Sequence, residues 1–567
     1  MTTLSDIGST DPRNATGQAG EGGMAAWRSW AMAGTALAML ATPVATAKPG
    51  DAPVLVRKDG RHALLVDGKP FLMLGVQANN SSNYPDMLPQ VWPMVERLHA
   101  NTLEIPVAWE QIEPVEGRFD FSYLDALLPQ ARAHGVKLVL LWFGTWKNTS
   151  PGYVPTWVKT NDARFPRMRT KEGKTHYALS PHGQATFEAD RKAFVALMRY
   201  LRDHDPDHNV IMVQPENETG VYQQARDYSP EANRLFAGNV PPELAKATGK
   251  SGSWTAVYGD NAEPAFNAWY TARYIDRIAA AGKAVWPLPM YVNAAVGGPF
   301  APPGKSGGAS GGPDWQVIDV WKAAAPNIDA VAPDLYTRSA KDYLKFLDHY
   351  SRPDNPLLVP ETGNAADFAR FLWPTIGHGG IGWAPFGMDA TGYSNYPLGA
   401  VTLDDATIEA FASKYRFLNP MARGWATLAL QHPGWGTAKG APEEEQAKVM
   451  GRWRVSAKYG EWQFGSMDSP WLKAEPPAAA AQPVGGAAVL QLGPDQFLVT
   501  GTDVRVSFDV ADKAKGDTAM LLKVEEGTLN DDGSFRARRV MNGDQTDYGL
   551  NFTAQPMLLR VTMGTYR

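Results

Sequence analysis

From residue 54 onward, short apolar runs alternate with longer stretches of helical periodicity, and nearly every apolar run ends on a polar or aromatic side chain. The runs at 71–76, 102–107, 137–143, 209–214, 288–292, 328–333, 357–359 and 380–385 have the length and content of buried strands. Helical patterns follow at 87–99, 123–134, 183–204, 264–281, 315–325, 341–350, 365–373 and 404–430, with Gly135 stopping one of them. A strand followed by a helix, repeated eight times, predicts an α/β fold: a parallel (β/α)8 TIM barrel. The loops at 149–181, 221–253 and 297–312 carry the region well past the roughly 250 residues of a plain barrel.

The pattern then changes. Val504, Val506, Phe508 and Val510 alternate with polar residues at period two, and 452–464 does the same. Asn530-Asp531-Asp532-Gly533 and Asn542-Gly543 are hairpin signals, and 476–486 is an Ala/Pro-rich connector. The chain therefore divides into a leader (1–47), a catalytic barrel with loop insertions (48–430) and a C-terminal antiparallel β domain of sandwich type (440–567).

Composition narrows the partners. A net charge of −5 and a pI near 6.1 argue against nucleic acid or an anionic membrane. The absence of cysteine removes disulfides, thiolate metal sites and cysteine nucleophiles. Arg28, the apolar run 31–41 and Ala45-Thr46-Ala47 have the layout of an export signal, too short to span a bilayer. Export to the periplasm or medium is expected, with translation starting at Met24.

The stretch 210–220 concentrates the chemistry. A strand of Val, Ile and Met runs into Glu216, Asn217 and Glu218 before Gly220 breaks it, and a second strand ends on Pro360-Glu361. A buried strand rarely ends on a carboxylate without a partner or a task, and barrel enzymes keep their catalytic groups at the carboxyl ends of strands. Glycoside cleavage needs such a pair: an acid for the leaving oxygen and a carboxylate at the anomeric carbon, retaining configuration when the two are about 5–5.5 Å apart. Glu216 competes with Glu218 for the acid, since a regular strand would send both to one side, but Pro215 disturbs that regularity. Trp383, Trp146 and Trp109 are candidate sugar platforms, with core packing as the alternative. Asn293, Gln77, Asn79 and Asn80 are candidate hydroxyl partners. Gly304-Lys305-Ser306 lacks the first glycine of a phosphate loop, and 204–208 lacks a third convergent metal ligand.

Gln214-Pro215-Glu216-Asn217-Glu218, Pro360-Glu361 and the segment from Trp109 through Pro114 to Phe121 resemble the clan A glycoside hydrolases, most of all the family 35 β-galactosidases. The resemblance implies Glu218 as acid/base, Glu361 as nucleophile, Asn217 on the sugar 2-hydroxyl and Tyr336 on the nucleophile. Thr219 and Pro215 depart from the family pattern, which points to a divergent bacterial branch associated with trimming xyloglucan side chains. The expected activity is a retaining exo-β-galactosidase acting on a carbohydrate, with no cofactor and no metal. Another clan A β-glycosidase (β-mannosidase, β-glucosidase or endo-glucanase) and a carbohydrate-binding protein on an inactive barrel are the rivals. The C-terminal domain is left open between covering a homodimer interface, binding glycan and bracing the barrel.

Overall fold

The computed structural model describes residues 51–441, 446–461, 478–513 and 516–567. The expected leader and export signal fall outside the described residues. Eight parallel strands, β1 (Met73–Gln77), β2 (Thr102–Ala108), β3 (Lys137–Lys147), β4 (Val210–Asn217), β5 (Tyr291–Ala295), β6 (Ala330–Leu335), β7 (Leu358–Thr362) and β8 (Gly382–Pro385), form one sheet. β8 pairs with β1 through Gly382–Met73 and Trp383–Leu74. A bridge between Val213 and Met290 joins β4 to β5, with the Val213 amide donating to the Pro289 carbonyl at 3.0 Å, and closes the sheet into a barrel.

The strands are apolar on both faces because each is covered twice. Met73, Val139, Leu141, Ile211, Tyr291 and Leu358 fill the barrel interior. A three-stranded antiparallel sheet (Val54–Lys58, Arg61–Val66, Lys69–Phe71) adds Leu64, Val66 and Phe71 to that cluster. The pattern did not announce this sheet. Outside the barrel pack α1 (Leu88–Arg97), α2 (Ser122–Ala133), α3 (Gln184–His204), α4 (Ala262–Lys283), α5 (Ile318–Ala324), α6 (Ala340–Tyr350) and α7 (Leu372–Gly377). The last expected helix is two, α8 (Asp405–Leu418) and α9 (Ala422–Gln431), separated at Asn419-Pro420 because proline cannot continue the ladder. The insertion after β4, which shows little periodicity, contains two one-to-two-turn helices, Pro230–Phe236 and Pro242–Thr248. Among the described residues, no helix is long and apolar enough to cross a membrane.

The C-terminal strands are β9 (Gly434–Ala438), β10 (Gln446–Met450), β11 (Trp453–Lys458), β12 (Gly486–Gly493), β13 (Gln496–Thr502), β14 (Val504–Val510), β15 (Thr518–Leu529), β16 (Phe535–Met541), β17 (Leu550–Phe552) and β18 (Met557–Tyr566). They form two antiparallel sheets, ordered β9-β12-β13-β18-β15-β16 and β10-β11-β14-β17. One apolar cluster, including Trp453, Val455, Phe497, Val506 and Val561, takes side chains from both. The turn with Gly533 at φ +82° joins β15 to β16 as a hairpin. Asn542-Gly543 does something else: it starts a 3-10 turn that carries the chain from β16 in one sheet to β17 in the other.

Candidate active site

β4 changes character at its end. Glu216 and Glu218 both adopt positive φ, 66° and 44°, so the regular alternation that would place them on one side is lost. Asn148, Thr149 and Gln223 are also left-handed; five of the ten non-glycine residues with positive φ among the described residues thus lie around this strand end. Such strain persists only where the surroundings enforce it, and it gathers at functional sites. Here the Asn148 and Thr149 amides donate to the Asn217 and Glu218 carbonyls at 3.2 and 3.1 Å, and the Glu218 amide donates to Asn293 Oδ1 at 2.9 Å.

The twist sends the two acids to different places. Glu216 Oε2 accepts from the Trp146 amide at 2.6 Å, on the side where Asp190 of α3 lies. A Cβ on Gly144 would sit 2.6 Å from Glu216 Oε1 and 2.9 Å from Asp190 Oδ1, so only glycine leaves room for this pair of acids. Burial, then the charge of Asp190, holds the Glu216 carboxyl well above the usual range. Glu218, by contrast, joins Asp334 and Glu361, with a carboxylate oxygen of each within 4.8 Å of the others.

Each member of the group has its own support. Tyr336 donates its hydroxyl to Glu361 Oε1, and Gln77 Nε2 donates to Glu361 Oε2 at 3.2 Å. Asn293 Nδ2 donates to Asp334 Oδ2 at 2.6 Å, so a single amide side chain steadies both the Glu218 backbone and Asp334. Three oxygens this close could ligate a cation. Yet both Glu361 oxygens already accept from protein donors, and Asp334 titrates well above the ordinary carboxylate range, through burial first and then the charges of Glu361 and Glu218. The arrangement suits handling protons.

Burial, and after it the negative charge of Glu361, pushes the Glu218 pKa up to about 7; Lys147 and a hydrogen bond from Asp334 pull the other way. Burial, and then the charge of Glu361, raises Tyr336 well above its usual range, so it remains a hydrogen-bond donor. Tyr222, on the loop after β4, is pushed to about 12 by burial and then by Glu218.

The structure brings together Glu218, Glu361, Tyr336 and Asn293. Asn217 is buried, and neither polar atom of its carboxamide has a protein hydrogen-bond partner, as expected of a side chain kept for something other than the fold. The three tryptophans are placed differently from the platform expectation. Trp383 is 1% exposed, donates to the Tyr343 hydroxyl at 3.0 Å and stacks on Phe411 of α8, outside the strand. Trp146 lies edge-on to Tyr274 and donates to the Leu179 carbonyl, and Trp109 donates to Glu113 Oε2 at 2.9 Å. Rings with this little exposure have no face for a sugar; they are core. The pattern missed Asp334 as a site acid, although it ends β6 as visibly as Glu361 ends β7. It also missed Lys147, a buried cation at the end of an apolar strand, beside the Asn217 register position.

Residues 86–287 match the family model described as Beta-galactosidase, that of glycoside hydrolase family 42. Residues 411–553 match a domain of unknown function (DUF5597). A curated β-galactosidase of Xanthomonas manihotis is 27% identical over 210 residues, covering 35% of this chain and 31% of that protein. The chain thus matches about a third of the length of that relative. Among solved structures, the β-galactosidase of psychrophilic Marinomonas ef1 aligns over 64% of this chain and 62% of that one, at 14% identity and a TM-score of 0.45. The exo-β-1,4-mannosidase Op5Man5 of Opitutaceae bacterium strain TAV5 aligns over the same shares at 15% identity and a TM-score of 0.40.

Proposed function

We propose that the protein is a retaining exo-β-galactosidase of the family 35 type, in which Glu361 is the nucleophile and Glu218 the acid/base. The observation that carries this reading is the Glu218–Asp334–Glu361 cluster, whose oxygens lie within 4.8 Å, together with the Glu218 pKa near 7. That spacing fits the short separation of retaining pairs.

The chemistry follows in two displacements. Glu361, held by Tyr336 and Gln77, attacks the anomeric carbon while protonated Glu218 gives its proton to the departing oxygen. Once Glu361 is esterified its charge is gone, and with it one of the two causes that raise Glu218. Glu218 then accepts the proton of the water that releases the sugar. The unpartnered carboxamide of Asn217 suits the 2-hydroxyl, where hydrogen bonds strengthen in the transition state.

The exo assignment draws on the two insertions. The Val221 amide donates to the Ser310 carbonyl at 3.0 Å, and the Ser310 amide returns a bond of 2.9 Å. Gly220, at φ +110°, packs so closely that a Cβ would lie 2.6 Å from the Gly312 nitrogen. The loops after β4 and β5 are thus stitched together directly beside Glu218. We read this pairing as the wall that closes one side of the cleft in an exo-acting enzyme.

A panel of 4-nitrophenyl β-glycosides tests the reading. Galactoside should be turned over best; preference for mannoside or glucoside would replace the specificity, and no turnover at all would leave only a binding protein. Glu361→Ala should lose at least about 10³-fold in kcat and recover with azide as the α-galactosyl azide. Recovery as the β-azide would exchange the two roles.

A further inference from the structure

Two displacements use Glu361 and Glu218 and leave Asp334 without a part. It lies at the carboxyl end of β6, its register partner across the sheet is Glu361 of β7, and it is 2% exposed. A buried acid is costly unless something nearby compensates it. Three carboxyls with oxygens inside 4.8 Å cannot all be charged, so protons are shared out among them. Glu361 takes the charge, because Tyr336 and Gln77 each donate a hydrogen bond to it. The protons therefore belong to Glu218 and Asp334.

Asn293 decides where the Asp334 proton sits. The Glu218 amide can only donate, so the Asn293 atom facing it at 2.9 Å is the carboxamide oxygen. That turns the Asn293 nitrogen toward Asp334 Oδ2 at 2.6 Å and makes Oδ2 an acceptor. Asp334 Oδ1 is buried, and no protein group donates to it. An ionised Asp334 would leave that oxygen an unmet charged acceptor; a protonated one carries its hydrogen there, free to reach the Glu218 carboxyl to which Asp334 hydrogen-bonds. The other groups in range are Lys147, whose charge pulls both Glu218 and Asp334 down, and the hydroxyls of Tyr336, Tyr291, Tyr350 and Tyr222, kept neutral first by burial.

Resting on the glycosidase reading, we infer that Asp334 keeps its proton and is a positioning residue for Glu218: its O–H donates to the Glu218 carboxyl and holds it toward the leaving group. When Glu218 gives its own proton to the departing oxygen, the bond from Asp334 becomes one to a carboxylate, shorter and roughly twice as strong. An interaction that strengthens in the transition state raises kcat rather than lowering KM. The Asp334 proton stays on Asp334; the proton transferred is that of Glu218.

The test compares kcat/KM for the phenyl and 2,4-dinitrophenyl β-glycosides of the sugar the wild type prefers, in wild type, Asp334→Asn and Asp334→Ala. Dinitrophenolate departs without a proton and phenolate does not, so only the phenyl substrate reads how well Glu218 serves as acid. In Asp334→Ala the phenyl substrate should lose about 10²-fold and the dinitrophenyl substrate less than about threefold. Asp334→Asn, whose Nδ2 can donate where the acid did, should stay within about fivefold on both. The alkaline limb of the phenyl profile adds a sign. Loss of the donor in Asp334→Ala should move it above the wild-type value of about 7, and Asp334→Asn should leave it there. Were Asp334 charged, both variants would remove a negative neighbour of Glu218 and bring the limb below 7. That result, or equal losses on both substrates in Asp334→Ala, overturns the inference. If Asp334→Ala does not fold, the limb of Asp334→Asn decides by itself. A wild type inert on every aryl glycoside overturns the glycosidase reading, and this inference with it.

Discussion

At the scale of single residues, the site works by unequal titration. Two acids that lie 4.8 Å apart or less cannot ionise independently, and here burial and the Glu361 charge put Glu218 near 7. On the proposed mechanism Glu218 must hold its proton to protonate the leaving oxygen, so kcat/KM should fall as pH rises through about 7, tenfold per unit above it; a plateau extending to pH 9 would assign the acid elsewhere. The same shift has a stability sign. The folded pKa lies above the unfolded value, so folding is favoured by this group below about 4.5 and the contribution is lost as pH rises through about 7. Glu218→Gln, which cannot ionise, should therefore raise Tm at pH 8.5 more than at pH 5; an equal change at both pH values would remove the burial argument. Glu218 and Glu361 were legible because each ends an apolar strand. Asp334 offered the same sign, but the chemistry asked for a pair and the third acid was passed over. Lys147 was not legible, since its burial depends on where the loop after β3 folds back.

At the scale of elements, all eight barrel strands could be read from the pattern, because a parallel strand covered on both sides has to be apolar throughout. What could not be read was facing. Trp383 lies on a barrel strand, where a sugar platform was expected, but one residue of register decides between cleft and helical layer. Ala384 would meet a Cβ on Gly75 at 2.9 Å, near Glu104 in the barrel interior, which leaves Trp383 to face Phe411 and Tyr415. Trp383→Phe should then cost about 1–3 kcal/mol of stability through the lost hydrogen bond to Tyr343 and the smaller ring, with KM for the aryl galactoside within twofold of wild type. A large rise in KM without a fall in Tm would return the ring to the cleft. Asn542-Gly543 failed for a related reason: a turn dipeptide fixes local geometry, but which sheet the next strand joins is decided by the long-range pairing of Val506 with Leu550.

At the scale of the whole described chain, the question is whether the C-terminal sheets melt with the barrel or apart from it. Period-two alternation announced the sheets but carried nothing about what they lean on. Side-chain hydrogen bonds join this region to α7 and to the turn before it: Trp373 Nε1 donates to Thr502 Oγ1 at 3.0 Å, and Arg370 Nη1 donates to the Pro483 carbonyl at 2.8 Å. Gly436 of β9 packs so tightly that a Cβ would lie 2.5 Å from Pro374 Cα and 2.8 Å from its carbonyl oxygen. Neither neighbour is a flexible side-chain end, so an added methyl must push β9 away from the helix. Trp373 is fully buried, and moving β9 would expose apolar surface that the barrel has no other way to cover. Gly436→Ala should accordingly cost about 1–3 kcal/mol and lower Tm by a few degrees. If α7 makes barrel and sheets one cooperative unit, tryptophan fluorescence and far-UV circular dichroism should report the same lowered midpoint. A second transition in the variant, with kcat surviving the first, would show instead that the sheets are an appendage the barrel can lose.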